Sequence, residues 1–324
     1  MTGTGGSDRT PDAHVLPPEL HDAYRREHAE AALSATTASS QATLIIIAGQ
    51  PGAGKSLLAG AALRGFEGEG GAVLVDIDEL RTSHPGYAAL QQGDDRRAAG
   101  RVQDDAGRWG DELLEDARMG RRNIVLDGTL KSPDKAEALC RHFRAQGYRI
   151  ELRAMATPAE ESRLAIYRRY ENMKAKGRPG RWVPADVHDP AFNGVSASMR
   201  RLDAGGLVDR IEVHGRPDGA STATREIYAG PAGTGRAADA FDEERSRRRT
   251  APEQARQQSE WQAVAELVTA RDPHLHEIEN RNFMAAYRQR EIAPSAPADR
   301  GTTMQQRFAD AGRSKIKEPP GKAR

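Results

Sequence analysis

The eight residues Gly49-Gln50-Pro51-Gly52-Ala53-Gly54-Lys55-Ser56 have the makings of an anion site. Glycines let successive backbone N–H groups turn inward where no Cβ stands in the way. At this spacing, Lys55 is set to reach the β- and γ-phosphates of a nucleotide, and the Ser56 hydroxyl to sit on Mg²⁺. Such a loop works only between a strand and a helix, and the flanking residues supply both. Thr43 to Ala48 is a short, β-branched, apolar run of the kind buried on both faces of a sheet. From Lys55 to Phe66, Leu57, Leu58, Ala61, Ala62 and Phe66 fall at helical spacing, and the helix adds its positive end to the anion site. All eight positions, Gly49, Gln50, Pro51, Gly52, Ala53, Gly54, Lys55 and Ser56, are therefore expected to contact ATP or GTP.

Acids and arginines supply the rest of a phosphoryl-transfer chemistry. Asp76 and Asp78 leave a second apolar run at its carboxyl end, the edge where open α/β sheets gather ligands. Transfer to a hydroxyl needs a carboxylate that orients the attacking O–H and accepts its proton, and Asp78 suits that role. Asp127 ends a third such run and is followed by the turn Gly128-Thr129. The lesser alternative at either place is an acid that merely caps a strand or starts a turn. Arg169 lies in a basic helical stretch and Arg181 in the glycine- and arginine-rich loop after it, suited to a lid that neutralises charge on the transferred group.

These residues need a scaffold. Strands are expected over Thr43–Ala48, Ala72–Asp76, Asn123–Asp127, Ile150–Met155 and Arg210–Val213, with helices over roughly 17–33, 100–119, 133–146, 158–176 and 184–204 between them. Alternation of this kind implies an α/β, three-layer P-loop NTPase-type fold on a mostly parallel sheet. Residues 1–16 read as a polar, disordered lead and 17–230 as the kinase domain. Residues 231–324 read as a charged tail, helical or disordered, with amphipathic patterns at 253–270 and 283–290. That tail is expected to be dispensable for chemistry, and its last stretch, 301–324, holds six basic and two acidic residues.

The 324 residues carry 48 basic and 47 acidic side chains, a net charge of +1 that selects neither nucleic acid nor membrane as a partner of the core. Cys140 is the only cysteine, which excludes an internal disulfide, and its neighbours Ala136, Leu139 and Phe143 mark it as a core thiol. No apolar run approaches the roughly 20 residues of a membrane span, and the N-terminus lacks a signal-peptide core, so a cytoplasmic protein is expected. The nine histidines form no metal-ligand pattern. His84 reads as a turn residue shaping a pocket, and His188 with Asp189 as helix packing.

Taken in order, Gly49 to Ser56, the stretch from Asp76 to Tyr87 with His84-Pro85 six residues after Asp78, Asp127-Gly128-Thr129, Arg169-Tyr170-Glu171, and Arg181-Trp182 with His188-Asp189 resemble the zeta-toxin family. The similarity runs from about Pro17 to Tyr228. It implies an ATP- and Mg²⁺-dependent kinase that phosphorylates the 3′-hydroxyl of the amino sugar of UDP-N-acetylglucosamine, acts as a toxin against cell-wall synthesis, and is paired with an antitoxin protein. Position by position, it implies that Lys55 and Ser56 contact nucleotide and metal, that Asp78 is the catalytic base, and that Arg169 and Arg181 stabilise charge. It also implies that Asp111, Asp127, Thr129 and Lys131 contact the sugar nucleotide. The family more often carries Glu at the positions of Asp111 and Asp127 and Arg at that of Lys131. Asp is a methylene shorter, and Lys cannot make a bidentate contact. A kinase for another nucleotide or an antibiotic hydroxyl, or a nucleotide-dependent partner-binding switch, are the competing readings.

Overall fold

Ile45, Ile46 and Ile47 place branched side chains alternately on the two faces of a strand that has no exposed side, and that strand is the centre of the structure. The computed structural model describes residues 13–217 and 223–292. Thr43–Ala48 (β1), Ala72–Asp76 (β2), Asn123–Asp127 (β3), Arg149–Met155 (β4), Arg210–Gly215 (β5) and Arg225–Gly230 (β6) form one sheet in the order β2-β3-β1-β4-β5-β6. The first five strands are parallel, and β6 runs antiparallel to β5 at the edge.

Leu44, Ile46 and Ala48 face one apolar cluster, shared with Ala136, Cys140 and Phe143 of the helix Pro133–Ala145 and with Val195, Met199 and Leu202 of the helix Ala185–Ala204. Ile45 and Ile47 face the other, with Leu58, Ala59 and Ala62 from the helix Lys55–Gly65. The sheet is thus the middle of three layers, as the alternation of elements requires. The parallel strands bring Ala48, Asp76 and Asp127 out at one edge. Burial pushes the Cys140 thiol up to about 12, which leaves it unreactive inside the core.

In chain order the helices are Pro18–Ser34 (α1), Lys55–Gly65 (α2), Ile77–Thr82 (α3), Tyr87–Asp94 (α4), Ala98–Arg101 (α5), Gln103–Met119 (α6), Pro133–Ala145 (α7), Ala159–Ala175 (α8), Ala185–Ala204 (α9), Arg236–Ser246 (α10), Ala251–Arg271 (α11) and Ile278–Ile292 (α12). None of them is long and apolar enough to cross a membrane.

The helices expected after Gly230 are present, and they are packed onto the body. Ala237, Ala238 and Phe241 of α10 join the main cluster beneath the sheet. Trp261, Val264 and Val268 of α11 and Phe283 of α12 form a further cluster with Leu164, Tyr167 and Tyr170 of α8. Apolar residues are sparse in this stretch, but they recur at helical spacing and so collect on one face. Thr250 and Glu253 close a reciprocal cap that sets the start of α11. Residues 1–12 and 293–324, with the basic stretch 301–324, lie outside the described residues.

Candidate functional site

The phosphate loop joins β1 to α2, and three of its glycines adopt backbone angles that disfavour any side chain: Gly49 at φ +151°, Gly52 at +78° and Gly54 at +103°. A Cβ on Gly52 would lie 2.1 Å from the Ser162 carbonyl oxygen, because the first turn of α8 presses on the loop from behind. Three side chains hold the loop from that side. The Gln50 amide, fully buried, donates to the Thr157 carbonyl at 2.7 Å and to Ser162 Oγ at 3.0 Å. The Thr157 hydroxyl donates to Ala53 O at 2.9 Å, and Arg216 donates to Gly52 O at 2.6 Å.

Behind Ser162 stands a chain of hydrogen bonds that resembles a hydrolytic triad in connectivity alone. His188 Nδ1 lies 2.8 Å from Asp189 Oδ1, and His188 Nε2 lies 2.8 Å from Ser162 Oγ. With the proton on Nδ1 facing the carboxylate, Nε2 accepts from the serine hydroxyl, whose oxygen accepts from Gln50. Ser162 and His188 are wholly buried, and burial, with Arg163 and Arg245 nearby, pushes the imidazole down to about 3. The chain braces the loop. His84 is likewise structural: its Nδ1 accepts from Gly86 N at 3.1 Å and its Nε2 faces the buried Asp105 at 3.3 Å.

On the open side, Lys55 Nζ lies 3.5 Å from Asp127 Oδ1. Asp127 stands in register with Asp76 on the neighbouring strand. Burial pushes the Asp127 carboxyl up to about 6; Lys55 pulls it down, while Asp76 and Asp78 push it further up. Asp76 caps α3 by accepting from the Asp78 amide at 2.8 Å, so it performs the turn-starting role considered above. Asp78, in the first turn of α3, is ion-paired with Arg81 and, at 2.9 Å, with Arg181, and its side chain is 42% exposed. Enclosure by the fold works to raise its carboxyl, but Arg81, Arg181, Lys55 and Arg169 outweigh this and hold it below the ordinary Asp value. Arg169 reaches across from α8, donating to Arg181 O at 3.5 Å, and burial with Arg181 beside it lowers its guanidinium.

Lys55, Asp76, Asp78, Asp127, Arg169 and Arg181 therefore belong to one charged group beside the phosphate loop. Ser56 in the first turn of α2 and the Asp76 and Asp127 carboxylates are all oxygen donors, a set suited to Mg²⁺. Thr129 and Lys131 lie in the loop after Asp127. That loop is shaped by α9: Ser198 donates to Leu130 O at 2.6 Å, and a Cβ on Gly194 would lie 2.0 Å from Lys131 O. Leu130 between them is held at φ +45°. Asp111 and Lys131 are exposed, and Lys135 is the charged group that acts on Asp111. Sequence reasoning missed Arg81 and Arg216. Arg81 had a signal in its i+3 spacing from Asp78; Arg216, reaching Gly52 across the fold, had none.

A three-layer fold on a mostly parallel sheet, with this loop after its central strand, defines a P-loop nucleotide-binding protein. The chain belongs to the zeta toxin family, whose profile matches residues 27–226. Toxin PezT of Streptococcus pneumoniae serotype 4 is 29% identical over 179 residues, covering 55% of this chain and 70% of PezT. A toxin zeta of Enterococcus hirae is 26% identical over 175 residues, 54% of this chain and 60% of that protein's length. Among solved structures, one from a study of the PezAT chromosomal toxin-antitoxin system of S. pneumoniae matches with a TM-score of 0.65 at 22% identity, over 78% of this chain and 98% of that one. The AvrRxo1-ORF1:-ORF2 complex crystallised with ATP matches with a TM-score of 0.54 at 15% identity, over 91% of this chain and 89% of that one.

Proposed function

We propose that this protein is a cytoplasmic, ATP-dependent kinase that phosphorylates the 3′-hydroxyl of the amino sugar of UDP-N-acetylglucosamine, and that it acts as a toxin restrained by an antitoxin protein. The observation that carries the reading is Asp78, a partly exposed carboxylate held between Arg81 and Arg181, in the same charged group as the phosphate-loop Lys55. ATP, arriving with Mg²⁺, fits the loop with its γ-phosphate toward Lys55. Asp78 orients the acceptor hydroxyl and takes its proton as the O–P bond forms and the bond to ADP breaks. A low carboxyl pKa suits that work, because in a loose phosphoryl transfer the proton leaves late and orientation matters more than basicity. Arg169 and Arg181 neutralise charge that spreads over the transferred group. Asp127, Thr129, Lys131 and Asp111 receive the sugar nucleotide.

Family membership and the names of relatives, which speak of toxins and a toxin-antitoxin system, support this reading. The shorter acids at Asp111 and Asp127 and the point charge of Lys131 favour one second reading, a kinase for the hydroxyl of another nucleotide or an antibiotic. ATP consumption by the purified chain, measured with and without UDP-N-acetylglucosamine, tests both. Consumption that rises only with a different hydroxyl acceptor selects the second reading, and consumption that responds to no acceptor overturns the kinase assignment.

A further inference from the structure

Arg181 sits in the loop between α8 and α9 with no regular structure of its own to hold it, yet its guanidinium meets Asp78 at 2.9 Å. The residues on either side of it are fixed from one place. Asp95, just past the end of α4, is buried, and its carboxylate accepts from Gly180 N at 2.7 Å, Tyr170 OH at 2.8 Å and Lys174 Nζ at 2.7 Å. Gly180 lies against the Tyr170 ring, where a Cβ would come within 2.2 Å of a ring carbon. Trp182 is buried edge-on to Tyr167 and Tyr170, with ring centroids at 4.9 and 5.4 Å. Arg96 lays its guanidinium over Tyr170 at 4.6 Å and Trp182 at 4.4 Å. Arg181 is thus pinned at both neighbours by the pair Asp95 and Arg96.

The same residues are backed by the C-terminal helices. Arg96 is ion-paired with Glu277, and Arg271 of α11 grips both Glu277, at 2.6 Å, and Glu171 of α8, at 2.7 and 2.8 Å. Glu171 is 1% exposed, so this forked contact is what compensates a buried charge. Trp261 and Phe283, from α11 and α12, share one apolar cluster with Tyr167, Tyr170 and Trp182. Trp261, Arg271, Glu277 and Phe283 all lie past residue 226, where the family profile ends.

We propose that Asp95 is a positioning residue that acts through Arg181, and that α11 and α12 are the outer half of the brace, so that the C-terminal helices belong to the catalytic device. The kinetic part of this proposal rests on the kinase reading; the structural part does not. In the full chain, Asp95→Asn keeps the shape and removes the carboxylate that the three donors share. Hydrogen exchange in the peptide spanning residues 176–184 is expected to quicken about 10-fold or more while the β1 and β4 peptides stay unchanged. The kcat is expected to fall about 10- to 100-fold with little change in the KM for ATP, and to fall no further when Asp95→Asn is added to Arg181→Ala. Arg271→Lys, which keeps the charge and loses the fork, is expected to move both readouts in the same direction by a smaller factor. Unchanged exchange in that peptide, or losses that multiply in the double variant, overturn the role of Asp95. An Arg271→Lys protein that matches wild type in both readouts overturns the role of the C-terminal helices. If Asp95→Asn does not fold, Tyr170→Phe, which removes one donor and keeps the ring, takes its place in both comparisons. If the wild-type chain phosphorylates no acceptor, the kinase reading falls and the exchange result alone judges the brace.

Discussion

Asp127→Asn should make the nucleotide-free protein more stable at neutral and alkaline pH, and not at acid pH. The carboxyl sits 14% exposed at the end of β3, beside Asp76 and near Asp78, with Lys55 at 3.5 Å as the cation paired with it among the described residues. Its value of about 6 in the fold stands against 3.8 for an ordinary Asp. The fold therefore binds this proton more tightly than the unfolded chain does. Stability linked to the group is complete below about pH 4 and declines as the pH rises toward about 6, above which the full cost is present. Two pH decades at about 1.4 kcal/mol each give an upper bound of about 3 kcal/mol, and losing the Lys55 contact in the variant trims the net gain to about 1–2 kcal/mol. Urea denaturation of wild type and variant at a series of pH values from about 4 to 8 reads the difference directly. Two stability curves that run parallel across that range would refute the reasoning, since they would mean that Asp127 does not titrate there.

Lys55→Ala is expected to weaken ATP binding and turnover together, whereas Asp78→Ala should keep ATP binding by calorimetry and lower kcat about 10²- to 10⁴-fold. Arg169→Lys and Arg181→Lys should each lower kcat by more than they raise the KM for ATP, because lysine keeps the charge and loses the planar fork; an effect confined to KM would make them ground-state contacts. Gly52→Ala puts a methyl 2.1 Å from Ser162 O at a φ of +78°, so nucleotide binding should be lost while the far-ultraviolet circular dichroism is kept. A chain ending near Gly235 loses Phe241 from the main cluster and uncovers Tyr167, Tyr170 and Trp182. The packing reverses the expectation that the tail is dispensable: this fragment should fail to unfold cooperatively, and a soluble, fully active fragment would count against it.

The parts of this fold that were legible in the sequence are those whose signal is local. The first three strands are bounded by residues that end apolar runs, and their limits were read to the residue. Edge strand β6 escaped because Arg225-Glu226-Ile227-Tyr228-Ala229-Gly230 is half-exposed along almost its whole length, with no alternation to read. Helices α3 and α4 escaped because each buries a single residue, Leu80 and Tyr87. In the site, Lys55, Asp78 and Asp127 could be picked out because a loop and two strand ends fix where they emerge. Asp111 and Lys131 came from the family resemblance alone. Asp95 could not be found from sequence: its partners at Tyr170, Lys174 and Gly180 meet it only through the folding of α8 back across the end of α4.

The three tryptophans report on three different parts of the molecule. Trp109 lies among His21, His28 and His84 under α1, Trp182 is roofed by Arg96 next to the arginine loop, and Trp261 stacks on Phe283 in the C-terminal helices. Replacing Trp109 and Trp261 with phenylalanine leaves one indole whose emission depends on how closely a guanidinium covers it. The protein thus carries an intrinsic optical gauge of its own arginine loop, readable in a stopped-flow cuvette without any attached dye.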